Sequence, residues 1–534
     1  MERKLAGVSL IAGRPTQKNG GVFRGLNPET GETLEPAFHS ASAADADRAA
    51  REAQEAFFVW RQENGPQRAR LLRSIADGLD AATDALVARA RMESALPEAR
   101  LRGETLRTSN QLRQFAQVAE EGSWVEACID TAMPERKPLP RPDLRSMLQP
   151  LGPVVVMGAS NFPLAFSVAG GDTASALAAG SSVVVKAHPA HPGTSELVGQ
   201  IIAESIRSCE APEGLFSLLF DAGPETAQAL VQHPLIQAVG FTGSRRAGRA
   251  LMDLAARRPQ PIPCFAEMGS TNPVFVLPGA LREQGERIAA RLFASFTLQG
   301  GQHCTKPGIV FVPDQPETQT LLRELRRLTG ETTAMTLLTM GISSSYRTSL
   351  EGRRGTKGLE MFETAAEQNS CGVAATLLET DIDTFLTHPE LSDEVFGPTS
   401  LVVRYDERKK MIRAANELEG QLTAAVLGSP ADLAECRDLI GIMERKAGRL
   451  ICNGYPTGVE VSEAMVHGGP YPASSDSRFT AVGARAIRRF ARPVCYQGFP
   501  ESALPEELRD ENPRGILRTV NGVPTRDRIV VEQA

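Results

Sequence analysis

The chain has 534 residues, of which 42% are hydrophobic and 23% charged, with a formal net charge of −6. That length exceeds a single ordinary core, so we expect two or three domains. The mild acidity, without any lysine- or arginine-rich block, argues against a nucleic-acid surface, and no apolar segment approaches membrane-spanning length.

The cysteines and histidines also exclude some classes. Eight cysteines are scattered without a Cys-x-x-Cys pair, and residues 1–13 are better explained as a first strand than as a secretion signal. Both features favour a reducing cytoplasm. His188 and His191 lie three residues apart with no further ligand cluster, so we expect no metal site.

The first part of the chain is predicted to be helical. Apolar residues recur at three- and four-residue intervals over 44–61, 66–93 and 98–120. The third stretch contains Arg107, and arginines on such helices are most often solvated. A proline-rich stretch over 133–142 then indicates a boundary, and a strand is expected over 143–150.

From Pro153 onwards strands alternate with helices, which predicts a doubly wound parallel sheet. The strands are expected at 154–157, 182–186, 216–220 and 236–241. Ligands bind beyond the carboxyl ends of such strands, where Asn161, Lys186 and the turn 243–248 fall. The strict Gly-x-Gly-x-x-Gly fingerprint is absent, so spacing alone does not establish a dinucleotide site.

A second α/β unit begins with the predicted strand 264–267 and runs to about residue 476. Within it, Cys304 lies in a loop between a predicted helix over 283–298 and a short strand over 309–312. A thiol at such a junction is expected to be exposed, with backbone N–H groups that can stabilise negative charge nearby. Most cysteines are instead small buried hydrophobic residues, so the motifs elsewhere in the chain must decide.

Six ordered motifs resemble those of the NAD(P)-dependent aldehyde dehydrogenase superfamily. They lie at residues 159–163, 184–186, 241–244, 267–269, 300–304 and 394–398. The resemblance implies an α/β fold with two doubly wound domains and a small oligomerisation β-segment. It places the NAD(P)-binding domain at 1–136 and 153–265, the catalytic domain at 266–477, the oligomerisation segment at 137–152 and 478–500, and a C-terminal extension at 501–534.

The resemblance assigns three catalytic roles. Cys304 would attack the aldehyde carbon, and the Asn161 amide with the Cys304 backbone N–H would hold the resulting oxyanion. Glu267 would activate water to hydrolyse the thioester that follows hydride transfer. Taken singly, Glu267 could be a strand-end charge and Asn161 a turn residue, but their joint occurrence makes this interpretation improbable.

By the same resemblance, a nicotinamide dinucleotide would contact six positions, namely Lys186, Gly243, Ser244, Gly248, Glu394 and Phe396. Family members that prefer NAD often carry a glutamate three residues after the lysine, where this chain has Pro189. Without that carboxylate nothing there repels a 2′-phosphate and Lys186 could pair with it, so NADP is favoured over NAD.

Two segments near the carboxyl end narrow the resemblance. Residues 453–461 and 465–473 resemble the α-ketoglutaric semialdehyde (2,5-dioxopentanoate) dehydrogenases of bacterial sugar-acid catabolism, and fatty aldehyde dehydrogenases share part of this pattern. The first substrate ends in a carboxylate, for which Arg107 is the candidate anchor, with Phe162 also at the substrate site. Phe479 stands where many members have a glutamate, which puts a second carboxylate in the proton relay in doubt.

Other classes stay open at this point. A coenzyme A-acylating dehydrogenase would not need Glu267 as a base. A hydrolase with Cys304 as nucleophile would need a histidine base, and His303 is adjacent in sequence but poorly placed to face it. A non-catalytic relative would not need the full set. The partners expected are a small aldehyde and further copies of the chain, as a homodimer or homotetramer, with neither nucleic acid nor membrane.

Overall fold

The computed structural model describes residues 4–364 and 371–530. Its first sheet has seven strands, of which the first five in spatial order are parallel and almost fully buried. In spatial order they are Cys264–Glu267, Ala238–Thr242, Val154–Met157, Val183–Lys186, Phe216–Leu219, Leu10–Ile11 and Arg14–Pro15. Burial on both faces is typical of parallel sheets flanked by helices.

Eight helices accompany this sheet, and the first and fourth agree with the predicted ranges 44–61 and 98–120. They are Ala43–Trp60, Gly65–Ala81, Thr83–Ser94, Glu98–Glu121, Gly171–Ala179, Pro192–Ser208, Glu225–Gln232 and Arg245–Ala256. The single helix predicted over 66–93 is wrong, because the chain breaks at Ala82. There the Thr83 hydroxyl donates to the Asp80 carbonyl at 2.8 Å, a local bond that competes with a continuous helix.

The second sheet also has seven strands, of which all but the first are parallel. In spatial order they are Glu360–Glu363, Thr376–Asp381, Thr399–Tyr405, Ile309–Pro313, Val274–Val276, Gln421–Leu427 and Ala447–Cys452. Its helices are Pro278–Thr297, Pro316–Gly330, Met340–Glu351, Ile382–Thr387, Arg408–Glu417, Pro430–Glu435 and Arg437–Lys446.

A third, smaller sheet joins segments from both ends of the chain. Its strands, in order, are Ala491–Gln497, Leu144–Pro150, Cys128–Asp130, Arg518–Val520 and Val523–Thr525. The C-terminal extension therefore supplies two of its strands. The Arg518 side chain is buried beneath them and donates to the carbonyls of Asp510 and Asp527 at 2.7 and 3.2 Å. Two short ribbons complete the strands, Val22–Leu26 with Thr33–His39 and Met335–Thr336 with Gly372–Val373.

The predicted α/β class, with two parallel sheets and a small β-segment, is confirmed. The exact domain boundaries stay a prediction. The chain passes from the first sheet to the second between Glu267 and Val274. The carboxyl end of strand Cys264–Glu267 therefore lies near the start of strand Val274–Val276. Among the described residues, no helix is long and apolar enough to cross a bilayer.

Candidate active site

Cys304 lies in the loop between helix Pro278–Thr297 and strand Ile309–Pro313, as the sequence predicts. The loop is tightly packed: Gly301 has φ +64°, and a Cβ there would lie 2.2 Å from the Gly397 carbonyl oxygen. The side-chain amide of Asn272 donates to the Cys304 carbonyl at 2.8 Å. These contacts hold the loop rigidly, and the thiol itself is only partly exposed rather than open to solvent.

The thiol lines a cavity of about 340 Å³. Most of its wall is apolar or aromatic, including Phe162 and Phe166, and helix Glu98–Glu121 contributes Arg107. A concave, largely apolar site with a few convergent polar groups is the usual form of a small-molecule binding site.

Glu267, Cys304 and His467 converge on one point. The Cys304 Sγ lies 3.6 Å from His467 Nε2, and the same nitrogen lies 3.3 Å from Glu267 Oε2. Glu267 and His467 are 3% and 1% exposed. Neither carboxylate oxygen of Glu267 has a hydrogen-bond partner among the residues in the described ranges. A nucleophile, a carboxylate and an imidazole are thus held together away from bulk water.

This environment raises the pKa of the Cys304 thiol well above its usual value. Burial is the largest cause, because it disfavours the charged thiolate, and the carboxylates of Glu267 and Glu394 add repulsion. Arg107 acts in the opposite direction. In the free protein the thiol is therefore mostly protonated at neutral pH, and a base must take its proton before attack.

His467 is a residue whose role sequence reasoning missed. In the sequence, the segment 465–473 indicated only a resemblance to one group of dehydrogenases. The histidine considered as a possible base was His303, next to Cys304. That ring instead faces Gln299, with Nε2 2.9 Å from its Oε1. His467 lies 163 positions from Cys304, so no local spacing could have paired them.

Asn161 and Phe162 flank the nucleophile loop. The Asn161 side-chain amide donates to the Gln302 carbonyl at 2.9 Å, which leaves its second N–H for another acceptor. The Phe162 and His303 rings meet edge to face, with their centroids 5.5 Å apart. The Arg100 guanidinium lies 4.4 Å from the centroid of the Phe162 ring.

Two arginines of helix Glu98–Glu121 reach the cavity in different states. Arg100 pairs with the buried carboxylate of Glu104 and donates to Gln299. Arg107 lies over the Phe166 ring at 5.0 Å, and its Nη1 is buried without a hydrogen-bond partner in the described part of the chain. Burial lowers the pKa of Arg107, yet a guanidinium stays charged. Arg107 is therefore a buried cation with capacity to bind an anion.

The predicted pyrophosphate-binding positions follow the carboxyl end of strand Ala238–Thr242 in the first sheet. Ser244 caps helix Arg245–Ala256 by accepting from the Ala247 N–H at 3.3 Å, and the first turn of this helix is exposed. Gly248 packs so closely that a Cβ would lie 2.6 Å from the Met268 sulfur. An exposed helix N-terminus with close-packed glycines suits a pyrophosphate.

Glu394 and Phe396 lie in the segment between helix Ile382–Thr387 and strand Thr399–Tyr405. Glu394 approaches the backbone at Gly269, and burial raises its pKa to about 7 despite the nearby Lys306 ammonium. Lys306 Nζ donates to the carbonyls of Val395 and Thr399 at 2.9 and 2.7 Å. The segment that carries Glu394 and Phe396 is thereby tied to the nucleophile loop.

Sequence comparison decides the family. The model of the aldehyde dehydrogenase family matches residues 16–342. The chain belongs to this family. This aldehyde dehydrogenase is 48% identical to α-ketoglutaric semialdehyde dehydrogenase 2 of Azospirillum brasilense, over 97% of the chain and 99% of the relative. It is 44% identical to the α-ketoglutaric semialdehyde dehydrogenase of Acinetobacter baylyi, over 98% and 99%.

Solved structures show the same fold. The NADP-dependent glyceraldehyde-3-phosphate dehydrogenase of Bacillus halodurans, complexed with NADP, superposes with a TM-score of 0.78 at 20% identity, covering 92% of this chain and 99% of that one. A betaine aldehyde dehydrogenase variant of Staphylococcus aureus in complex with NAD⁺ gives 0.79 at 19% identity, covering 93% and 98%. At these identities the likeness concerns the fold of this aldehyde dehydrogenase alone.

The electrostatics of Cys304 generate a prediction for the ligand-free enzyme. Glu267→Gln removes a negative charge beside the thiol and should lower its pKa, so iodoacetamide should alkylate Cys304 about three- to tenfold faster at neutral pH, for a shift of about one pKa unit or less. Mass spectrometry of the Cys304 peptide measures this, since Cys452 and Cys495 are exposed and also react. Glu390→Gln, an exposed carboxylate beside His388, is the control and should change nothing. Slower alkylation in Glu267→Gln would contradict the repulsion.

Proposed function

We propose that this aldehyde dehydrogenase oxidises α-ketoglutaric semialdehyde (2,5-dioxopentanoate) to 2-oxoglutarate with NAD(P) in sugar-acid catabolism. The observation that carries the proposal is a nucleophilic thiol in an apolar cavity that also contains the buried, unpaired Nη1 of Arg107. The names of the two relatives at 48% and 44% identity support the same substrate.

The chemistry begins at Cys304. His467, 3.6 Å from the sulfur, takes the thiol proton as the sulfur attacks the aldehyde carbon, and a thiohemiacetal forms. The free N–H of Asn161 and the backbone N–H of Cys304 hold the oxyanion. A bound NAD(P)⁺ would supply the hydride acceptor, and loss of hydride from the adduct would leave a thioester on Cys304.

Hydrolysis of the thioester needs an activated water. Glu267 has two buried oxygens without hydrogen-bond partners in the described chain, so its carboxylate can accept a proton from a water that attacks the carbonyl carbon. Cys304 then leaves as the thiolate. Coenzyme A is not required, because water is the acyl acceptor.

For the cofactor, Ser244 and the turn between Gly243 and Gly248 would meet the pyrophosphate, and Lys186 the adenosine ribose. Glu394 would hold the nicotinamide ribose, with Phe396 beside it. These assignments rest on the close-packed glycines and exposed helix N-terminus described above.

A cysteine hydrolase is the candidate from a different class. Such a hydrolase needs a histidine base beside its cysteine, and His467 Nε2 lies 3.6 Å from the Cys304 Sγ. A histidine therefore does not separate the two classes, whereas family membership favours the dehydrogenase. The second candidate within the family is a fatty aldehyde dehydrogenase, which oxidises a long-chain aldehyde, since the cavity wall is mostly apolar.

We also propose a homodimer or homotetramer in the cytoplasm. Within the described chain, strand Ala491–Gln497 pairs only with Leu144–Pro150, and strand Ala447–Cys452 only with Gln421–Leu427. Each leaves a row of backbone groups open, to which a strand of another copy could pair. Seven cysteines are free thiols, which suits a reducing compartment, namely Cys128, Cys209, Cys264, Cys304, Cys436, Cys452 and Cys495.

Initial rates test the substrate. We expect kcat/KM to be highest for 2,5-dioxopentanoate, lower for succinic semialdehyde and lowest for a long-chain aldehyde, with either nicotinamide and without coenzyme A. A long-chain aldehyde with the highest value would favour the fatty aldehyde class instead. Turnover that requires coenzyme A would contradict the hydrolytic mechanism.

Replacing Arg107 tests the carboxylate anchor. Arg107→Ala should raise KM for 2,5-dioxopentanoate about 10- to 100-fold, as a charge-assisted hydrogen bond contributes about 1.5–3 kcal/mol. The KM for a neutral aldehyde of similar length should change little. Arg102→Ala is the matched control, because Arg102 lies on the same helix but is paired at the surface with Asp84 and Glu98. Equal effects on both aldehydes would contradict the assignment.

The cofactor preference is a separate proposal, in which NADP is accepted and favoured because Pro189 does not repel a 2′-phosphate. Burial lowers the pKa of Lys186, while the negative charges of Asp221 and Glu225 oppose this shift. Asp221 is occupied by the N–H groups of Gly223 and Thr226, whereas Glu225 is exposed. Glu225 is therefore the carboxylate that would repel a 2′-phosphate and so weaken the preference for NADP.

Substitutions at these two positions should move the preference in opposite directions. Pro189→Glu should lower kcat/KM for NADP about tenfold, since one repelled or lost charged contact is worth about 1.5 kcal/mol. Glu225→Gln should raise it, and both variants should leave NAD largely unaffected. Wild-type enzyme with equal kcat/KM for the two cofactors would overturn the preference for NADP.

A further inference from the structure

Glu267, Cys304 and His467 each offer one atom that can ligate a metal ion. The carboxylate oxygen, the thiol sulfur and the imidazole nitrogen all lie within 4.8 Å of one another. The sequence predicted no metal site, because the histidines showed no ligand spacing. These three residues come from distant parts of the chain, so spacing could not reveal them.

Two of the three distances between the ligand atoms match those of a tetrahedral zinc site. In a tetrahedral Zn²⁺ site, with Zn–S about 2.3 Å and Zn–N or Zn–O about 2.0–2.1 Å, sulfur and nitrogen lie about 3.5 Å apart and nitrogen and oxygen about 3.3 Å apart. Here Sγ to Nε2 is 3.6 Å and Nε2 to Oε2 is 3.3 Å. The third pair, the Cys304 Sγ and a Glu267 carboxylate oxygen, lies within 4.8 Å. A zinc ion would bind between the three atoms with this pair about 3.5 Å apart.

The chemistry of the ligands selects the metal. A thiolate, an imidazole and a carboxylate suit Zn²⁺ better than Mg²⁺ or Ca²⁺, which prefer oxygen ligands alone. The Glu267 oxygens are buried and lack hydrogen-bond partners among the described residues, so a cation would remove an unfavourable state. Cys304 also lines the cavity, which leaves room for water at a fourth position.

We propose that Glu267, Cys304 and His467 form a three-ligand Zn²⁺ site whose occupation reversibly inhibits the enzyme. Binding forms a Zn–S bond and releases the thiol proton to solvent, without any change of oxidation state. The nucleophile, the nearby imidazole and the water-activating carboxylate are then all engaged at once. Inhibition by this route requires no particular aldehyde, so it is independent of the substrate assignment.

Cobalt provides a test that does not depend on turnover. Co²⁺ titrated into the full-length enzyme should give a thiolate-to-cobalt charge-transfer band in the near ultraviolet and tetrahedral bands in the visible, saturating at one equivalent per chain. Zn²⁺ should displace it. Zn²⁺ should also inhibit aldehyde oxidation, and EDTA should restore the activity.

The variants locate the ion. Cys304→Ala should abolish the charge-transfer band, and His467→Gln and Glu267→Gln should each weaken Co²⁺ binding at least tenfold, with circular dichroism confirming that each variant is folded. Cys495→Ser and His388→Gln are matched controls at exposed positions and should bind Co²⁺ as the wild type does. Absence of the band in the wild type, or its persistence in Cys304→Ala, would overturn the proposal.

Discussion

The buried side-chain amide of Asn272 holds the active site together. Its Nδ2 donates to the carbonyls of Cys304 and Lys306 at 2.8 and 2.9 Å, and its Oδ1 accepts from Ser270 and Thr423 at 3.0 and 2.9 Å. Each buried group left unpaired would cost about 1–3 kcal/mol. One amide thus joins the nucleophile loop to the turn that follows Glu267 and to the second sheet.

That connection explains how the reacting groups meet. Glu267 ends a strand of the first sheet, and Cys304 precedes a strand of the second. Because the turn between the sheets is pinned to the Cys304 loop, the carboxylate and the thiol are brought close together. His467 completes the group from a segment anchored by a hydrogen bond from its own N–H to the Thr480 hydroxyl at 2.8 Å.

Burial then governs the chemistry of these groups. It raises the pKa of the Cys304 thiol, and it leaves the Glu267 carboxylate without hydrogen-bond partners in the described ranges. The resting site is therefore electrostatically unfavourable, a condition that proteins tolerate where function requires it. The same condition explains why both a proton acceptor and a metal ion would be favourable there.

The two arginines of helix Glu98–Glu121 that line the cavity show how residues of one type acquire different roles. Glu104 accepts from the backbone N–H groups of Leu164 and Ala165, each at 2.9 Å, and its charge is balanced by Arg100. Arg100 is thereby committed to structure. Arg107, two turns further along the helix, has no such carboxylate partner among residues 4–364 and 371–530, and it faces the cavity with an unsatisfied N–H.

The sequence by itself determined the α/β class, the parallel strands of the first sheet, and the family, since hydrophobic periodicity and ordered short motifs are local properties. It could propose Asn161, Glu267 and Cys304 as site residues because each lies within such a motif. The break at Ala82 was missed because the apolar pattern continues across it. Only tertiary structure decided three features of the site. They are the approach of His467 to Cys304, the lack of a hydrogen-bond partner for Arg107 Nη1 in the described chain, and the closeness of Glu267, Cys304 and His467 as possible metal ligands. They depend on distances between segments far apart in the chain, and those distances are set by how the two sheets pack together.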